Sequence, residues 1–492
     1  MNSDQQRLPF QVVMSIKRIK GLPVETIQTL FDYLSDLTWG WALVPLLVVI
    51  GLYFTLMTRF VQVRYFGRMF KLARPDAQTK TGQVSGWDAL MVSVGGRVGG
   101  GNVAGVAVAV TLGGPGAVFW MWAIALVGMC TSLIECTLAQ VFKRRSEDGT
   151  FRGGPAAYIK HGLGPNYRWL VLVYSFCLLA SFGFGFNAFQ GNTISTAVED
   201  SLGISTVTTA LIIGPLAGLI VFGGLKRIVK ASDAIVPVMC FIYILMALAV
   251  IAINITELPR LVGMIVANAF GWEEAVSGGM GAALAAGLKR GLFSNEAGLG
   301  SAPNVAATAD VKHPVSQGIL QSLSVFIDTI VICSCTAFIV LLSPVYQPGG
   351  ELTGAPLVQQ SLALHFGQWA QYLLTVLLFM FSLSSIIYNY YLGEVAMTEF
   401  SKSKTAIFVL RVLVVACVML GAAAPQATSV FFFSDPLMGL LAVVNLMVIV
   451  TLLPVVLRML ADYRQQLASG KHEPVLDACR FADLDIDRGA WK

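Results

Sequence analysis

Val94-Gly95-Gly96-Arg97-Val98-Gly99-Gly100-Gly101-Asn102 interrupts an apolar run that begins near Ala89 and resumes from Val103 to Leu112. Five of the seven residues from Gly95 to Gly101 are glycine. Each costs a helix about 1 kcal/mol against alanine. Arg97 adds a charge at what is membrane depth if the run spans a bilayer. Non-helical backbone at that depth is tolerated only where protein surrounds it or where it lines a cavity, and its freed polar groups are then available to a ligand.

The rest of the chain supports a membrane setting. Of 492 residues, 56% are hydrophobic and 12% charged, and the mean hydropathy is +0.72. A soluble chain carries about 25% charged residues. The net charge of +5 is small and lies mostly in loops, so nucleic acid is not expected as a partner. Seven of the eight cysteines, all but Cys479, sit in apolar segments, with no Cys-x-x-Cys and no His at metal spacing. They read as small apolar helix residues.

Hydropathy divides the chain into eleven apolar segments: 38–58, 86–112, 116–142, 168–197, 206–224, 231–253, 275–309, 314–343, 368–397, 405–424 and 431–457. Lys and Arg crowd alternate loops: Arg59 to Lys80, Lys143 to Arg168, Lys226 to Lys230, Lys312, Lys402 to Arg411, and Arg458 with Arg464. The loops 198–205, 344–367 and 425–430 hold none, and 254–274 holds only Arg260. Positive loops stay cytoplasmic, which puts the C-terminus inside and the N-terminus outside a bacterial inner membrane. Residues 1–37 lack a signal-peptide core, and 22–37 could form a surface helix. Residues 458–492 read as a solvated cytoplasmic tail.

A second break lies in the seventh segment, Gly287-Leu288-Lys289-Arg290-Gly291-Leu292-Phe293-Ser294-Asn295-Glu296-Ala297-Gly298-Leu299-Gly300-Ser301-Ala302-Pro303. The second and seventh segments are five apart, an odd number, so they cross in opposite directions. Interrupted segments at matching places in two halves point to a transporter with inverted repeats. The expected fold is an all-α polytopic membrane protein with 11 transmembrane helices. Residues 86–253 and 275–457 form a 5+5 inverted repeat with two broken helices, and 38–58 is one extra N-terminal helix.

The residues Gly95 to Ala107 and Gly287 to Pro303 resemble signatures of the alanine or glycine:cation symporter family. So do Gly153-Gly154-Pro155-Ala156-Ala157-Tyr158 and the stretch Phe381 to Glu394. The resemblance implies uptake of small neutral amino acids with sodium, on the inverted-repeat fold of the bacterial leucine transporter. It implies that Gly99, Gly100, Gly101 and Asn102 mark the unwound point that takes the substrate carboxylate, through the amides of Gly100 and Gly101. Independently of the resemblance, unpaired amides at a helix start attract an anion; a glycine-rich packing seam is the alternative. The resemblance also implies a sodium ion held by the carbonyls of Gly95, Val98 and Phe381 and the hydroxyls of Ser384 and Ser385. Adjacent serines in a helix otherwise bond back to the preceding turn. Many relatives carry Thr or Ser where Gly100 stands, and often Gly-Trp where this chain has Tyr388-Asn389.

Asn187 and Gln190 are three apart in the fourth segment and share a face. They could bond the substrate, or serve as helix-to-helix amide contacts. Phe293, Ser294 and Asn295 lie at the second break, where their carbonyls could take an ammonium group. Arg97, Glu135, Lys289, Arg290, Glu296 and Asp328 are intramembrane charges. Glu135 and Asp328 are the candidate partners for Arg97, Lys289 or Arg290.

The expected activity is sodium-coupled import of alanine or glycine by alternating access. Proton coupling, or another small amino acid such as D-alanine, serine or glutamine, stays open. No enzyme chemistry is expected: the four histidines lie in or beside loops or the tail, and no zinc-protease, nucleophile-elbow or phosphate-loop motif occurs. A channel would not need two inverted broken helices. No cofactor is expected, with sodium a co-transported ion. Its other partners are the amino acid and the bilayer, with no obligate protein partner.

Overall fold

The computed structural model describes residues 33, 34, 37, 39, 43–74, 83–146, 149–271, 279–424 and 434–491. Of the surface helix expected over 22–37, all but residues 33, 34 and 37 lie outside these. Among the described residues, seven helices are long and apolar enough to cross a membrane.

In chain order the principal helices are α1 (Val44–Met57), α2 (Gly86–Arg97), α3 (Gly101–Gly113), α4 (Gly116–Val141), α5 (Pro165–Leu202), α6 (Thr206–Val221), α7 (Gly224–Ile253), α8 (Leu258–Ala269), α9 (Gly279–Asn295), α10 (Ser301–Ala306), α11 (Pro314–Leu341), α12 (Gly354–Phe366), α13 (Gln368–Phe400), α14 (Lys404–Ala423), α15 (Ser434–Thr451) and α16 (Leu453–Ala468). Hydropathy did not separate out α8 and α12, which lie in stretches read as loops. Both breaks interrupt helices as expected: α2 stops before α3, and α9 before α10.

Each element follows from local sequence. Ser85 and Asp88 form a reciprocal cap at the start of α2: Asp88 N donates to Ser85 Oγ at 3.0 Å, and Ser85 N to Asp88 Oδ2 at 2.9 Å. This pairs two of the amides that a helix start leaves free. The central layer consists of α4 packed along α9 and α11, with α5 and α13 packed together beside it. The outer surface is apolar: Leu56, Leu172, Leu219, Phe241, Val376 and Leu420 are exposed. Polar side chains such as Asn102, Glu135, Asn187 and Asp328 are fully buried. That inversion suits a chain whose outer solvent is lipid.

The solvated tail expected over 458–492 is corrected by the structure. The eleventh apolar segment gives way to α16, which runs on to Ala468, and the chain beyond it folds back on the body. Leu476, Phe481 and Trp491 are buried. Leu476 N donates to Lys312 O at 2.9 Å, Arg458 pairs with Asp483 at 2.6 Å, and Arg480 pairs with Asp462 at 2.9 Å. Trp491 lies over the ammonium of buried Lys143, 4.2 Å from ring centre to Nζ, and Phe151 covers it at the same distance from another side. Lys143 Nζ donates to Ala309 O at 2.9 Å. Burial pulls the Lys143 ammonium down to about 7, while the two aromatic faces favour the cation. Mixed charge concealed this docking, because the few apolar residues that anchor the tail are widely spaced.

Trp491→Ala removes one wall of this enclosure and is expected to cost about 3 kcal/mol. The check is a lower midpoint in thermal unfolding of the detergent-solubilised protein, largely restored in Trp491→Phe.

Candidate functional site

At the first break the chain leaves the helix at Val98, whose ψ is 93°. The two amides that follow are met by side chains. Gly99 N donates to Asn102 Oδ1 at 2.9 Å, and Gly100 N donates to Gln190 Oε1, from α5, at 3.2 Å. Two glycines here are dictated by close approach. A Cβ on Gly99 would meet Ser385 Oγ and Gln190 Nε2. A Cβ on Gly100 would come within 2.6 Å of Thr193 Cγ2 and 2.9 Å of Thr193 Oγ1. Thr193 of α5 thus occupies the space beside Gly100.

At the second break, Glu296, Gly298 and Gly300 all take positive φ, of 53°, 86° and 81°. Glycine adopts this freely, whereas a glutamate held there must be restrained by its surroundings. Its carboxylate accepts from Ser301 Oγ at 2.5 Å and Tyr388 Oη at 3.2 Å. Glu135 of α4 accepts from the amides of Gly298 at 3.3 Å and Gly300 at 3.2 Å, and from Asn445 Nδ2 at 3.0 Å. Asn445 also donates to Gly298 O at 2.9 Å and accepts from Tyr158 Oη. Tyr174 Oη closes the far side on Gly300 O at 2.8 Å.

The two breaks meet. Phe293 is in van der Waals reach of Gly101, and Asn102 Nδ2 donates to Ser294 Oγ at 2.9 Å. Both side chains end on Asp328 of α11, Asn102 at 2.6 Å and Ser294 at 2.8 Å, with Thr329 Oγ1 adding a third donor at 2.7 Å. Phe293 stacks on Phe186 with ring centres 4.9 Å apart, and Phe186 stacks on Phe182 at 4.9 Å.

Against the first break lies α13. Ser384 Oγ donates to Gly95 O at 2.8 Å, and Ser385 Oγ to Gly96 O at 3.1 Å and Gly95 O at 3.3 Å. Both hydroxyls also bond back to Phe381 O, at 2.8 and 3.1 Å. The bond back to the preceding turn is therefore present, and the same hydroxyls also reach across to α2. Gly95, Phe381, Ser384 and Ser385 come together as one oxygen cluster, with Val98 buried nearby on the same chain segment.

Two candidate residues are placed otherwise than their neighbours. Asn187 Nδ2 donates to Gly183 O of its own helix at 2.8 Å. Asn295 Oδ1 turns back to accept Ala297 N at 3.0 Å, and lies beside Gly128 of α4. Its side chain caps the break from the α4 side, away from Gly99–Gly101.

The charge pairing expected at the breaks is also corrected. Arg97 donates to Ser132 Oγ at 3.1 Å, to Gln321 O at 3.4 Å and to Ser324 Oγ. Its charge acts at longer range on Glu135, Glu296 and Asp328 together. Lys289 and Arg290 lie over the rings of Trp39 and Phe293, at 5.9 and 5.7 Å. The hydrogen-bonding roles of Glu135 and Asn445 had no local signal, since each meets partners far along the chain.

The model of the sodium:alanine symporter family matches residues 24–478. The chain belongs to the sodium:alanine symporter family. It is a membrane-spanning amino-acid symporter, and not an enzyme. It is 45% identical to the probable sodium/glutamine symporter GlnT of Bacillus subtilis (strain 168) over 90% of this chain and 91% of that one. It is 44% identical to the amino-acid carrier protein AlsT of the same organism, over 93% and 96%. It is 31% identical to the sodium/proton-dependent alanine carrier protein of Bacillus sp. (strain PS3), over 84% and 95%.

Glu135→Ala leaves the Gly298 and Gly300 amides and Asn445 short of an acceptor inside the bundle. The expected cost is about 3 kcal/mol, seen as a lowered unfolding midpoint and lost transport. Glu135→Gln, which keeps one acceptor oxygen, is expected to lie between the two.

Proposed function

We propose that this symporter imports a neutral amino acid down a sodium gradient by alternating access. In this reading the chain spans the inner membrane eleven times with its C-terminus in the cytoplasm. Residues 86–253 and 275–457 are the inverted repeats, and 38–58 the added helix. The observation that carries it is the meeting of two broken helices, Asn102 on Ser294 and Gly101 on Phe293, beside an oxygen cluster.

The substrate carboxylate takes the amides of Gly100 and Gly101. The Gly100 amide now ends on the Gln190 side chain at 3.2 Å, a partner that can be exchanged without unwinding a helix. The site around Gly99–Asn102 thus offers donors that were paired by a side chain rather than by the backbone ladder. The carbonyls of Phe293, Ser294 and Asn295, at the end of α9, carry the negative end of a helix dipole and suit the ammonium group. Asp328 fixes Asn102 and Ser294 relative to each other, so the two half-sites hold one spacing.

Sodium is held by the carbonyls of Gly95, Val98 and Phe381 and the hydroxyls of Ser384 and Ser385. The fit is chemical: the cluster is all neutral oxygen, which suits a monovalent hard cation, and both hydroxyls can turn their lone pairs inward by rotation. Because α13 supplies the hydroxyls and α2 two carbonyls, the ion joins helices from the two repeats. That contact is the differential interaction that coupling requires.

Alanine and glycine are the cargo that the family description favours, and glutamine the cargo that the name of one relative favours. A cavity of 430 Å³ lined by Asp88, Arg152, Tyr391 and Glu394 lies at the start of α2 and suits an inward vestibule.

Proteoliposomes with an inward sodium gradient are expected to accumulate labelled alanine or glutamine. Uptake unchanged when potassium replaces sodium rules out sodium coupling. Ser384→Ala with Ser385→Ala is expected to raise the sodium concentration for half-maximal uptake at least tenfold; a wild-type sodium response in the double variant removes those hydroxyls from the ion site.

A further inference from the structure

Most buried polar atoms at the centre of this molecule find partners, as they must. Among the described residues several do not, and two of these are asparagines on the packed pair α5 and α13. Asn389 of α13 is 1% exposed, and neither its Oδ1 nor its Nδ2 has a hydrogen-bond partner. Asn187 of α5 is fully buried, and its Oδ1 has none. Its Nδ2 is committed to Gly183 O and Phe182 O. That commitment fixes which end of the amide is left free: it is the acceptor.

Helix register puts the two residues at the same level of the α5–α13 contact. At one end of the α5–α13 contact, Gly183 and Gly393 approach backbone to backbone, with the Cα of Gly393 only 3.4 Å from where a Cβ on Gly183 would be. At the other end, Gln190 Nε2 and Ser385 Oγ converge on Gly99. These two contacts set an antiparallel register in which 183 faces 393 and 190 faces 385. Asn187 and Asn389 fall between them, one helical turn from the ends. On α13 the steps 385, 389 and 393 are i, i+4 and i+8, all on one face. On α5, Asn187 precedes Gln190 by three residues and follows Gly183 by four. The free amide groups therefore stand about one turn, roughly 5 Å, from the point where Gly99, Gln190 and Ser385 meet.

We propose that Asn187 and Asn389 form a subsite for a carboxamide side chain, which makes glutamine a preferred cargo of this transporter. The proposal rests on the reading that the α-carboxylate binds at Gly100 and Gly101. From there a side chain that runs between α5 and α13 reaches the asparagines in about one helical turn. Four bonds of about 1.5 Å separate the α-carbon of glutamine from its amide nitrogen and oxygen, which matches that turn. Alanine ends after one bond and leaves all three atoms unpaired. A primary carboxamide supplies what is missing on each side. Its NH₂ donates to Asn187 Oδ1 and Asn389 Oδ1, and its carbonyl accepts from Asn389 Nδ2. A glutamate carboxylate has no donor for the two oxygens and brings a charge into an unpaired site. A site built to hydrogen-bond a polar group discriminates by the atoms it leaves unpaired when that group is wrong. The facing pair Gly183 and Gly393 closes the end of the subsite with backbone alone, so a longer side chain meets a wall.

The test uses full-length protein in proteoliposomes with an inward sodium gradient, and measures kcat/KM for labelled glutamine and labelled alanine. The wild type is expected to favour glutamine. Glutamate is expected to inhibit at least tenfold more weakly than glutamine. Asn389→Leu and Asn187→Leu are each expected to lower the glutamine-to-alanine ratio at least tenfold. Should Asn389→Leu fail to fold, Asn389→Ser, which is smaller and still polar, carries the same expectation in direction. Uptake of alanine that unlabelled glutamine does not inhibit overturns the subsite and leaves the transport reading intact. Equal changes for both substrates in the variants also overturn it, because the asparagines are then structural. Absence of sodium-driven uptake for both amino acids is failure of the transport reading. In that case the rise in unfolding midpoint with added glutamine decides the subsite: a rise that Asn389→Leu abolishes supports it, and no rise in the wild type overturns it.

Discussion

A backbone amide inside a bilayer has no water to fall back on, so every break in a helix must be paid for by a partner. This chain breaks two helices at the centre of its bundle. The positions of many buried polar side chains follow from that need. Asn102 and Gln190 take the amides of Gly99 and Gly100. Glu135 takes those of Gly298 and Gly300. The two cases differ in kind. The first break is held by the neutral side-chain amides of Asn102 and Gln190. The second is held by a carboxylate that also grips Asn445, with Tyr158 and Tyr174 around it. One break is thus held by neutral groups and the other by a carboxylate.

Arg97 binds these arrangements together without a direct ion pair to any of the three acids it influences. Its hydrogen bonds go to serine hydroxyls and a carbonyl, and its field reaches Glu135, Glu296 and Asp328. Those hydrogen bonds join α2 to α4 through Ser132 and to α11 through Gln321 and Ser324. The docked tail is a separate device, at the end of the bundle that carries Lys143 and Lys312, and shares no residue with the centre.

Much of the fold was legible because membrane solvation imposes simple rules. Apolar runs of helical length, alternating basic loops and two glycine-rich interruptions follow from solvation and from the conformational cost of glycine, both local properties. The candidate oxygen cluster was legible only through resemblance, and the structure then brought Gly95, Phe381, Ser384 and Ser385 together. The partners of the buried charges were not legible: Arg97 meets Ser324 and Gln321, and Glu135 meets Gly298, Gly300 and Asn445, all more than a hundred residues away. Asn187 and Asn295 shared a stretch with residues that do meet, but their side chains were free to turn either way, and local carbonyl and amide partners claimed them.

The sequence by itself determined that this chain is a mostly helical membrane protein with two spoiled helices, since hydropathy and glycine content act residue by residue; the short antiparallel pair Arg144–Arg145 and Phe151–Arg152 departs from an all-α chain. It also carried the family, through stretches long enough to be specific. Only the tertiary structure decided which side chains answer the broken backbone, that Thr193 fills the space beside Gly100, and that Asn187 and Asn389 are buried with polar atoms unpartnered. These outcomes depend on the register of helices hundreds of residues apart. Register is set by packing over the whole contact, and no single position records it.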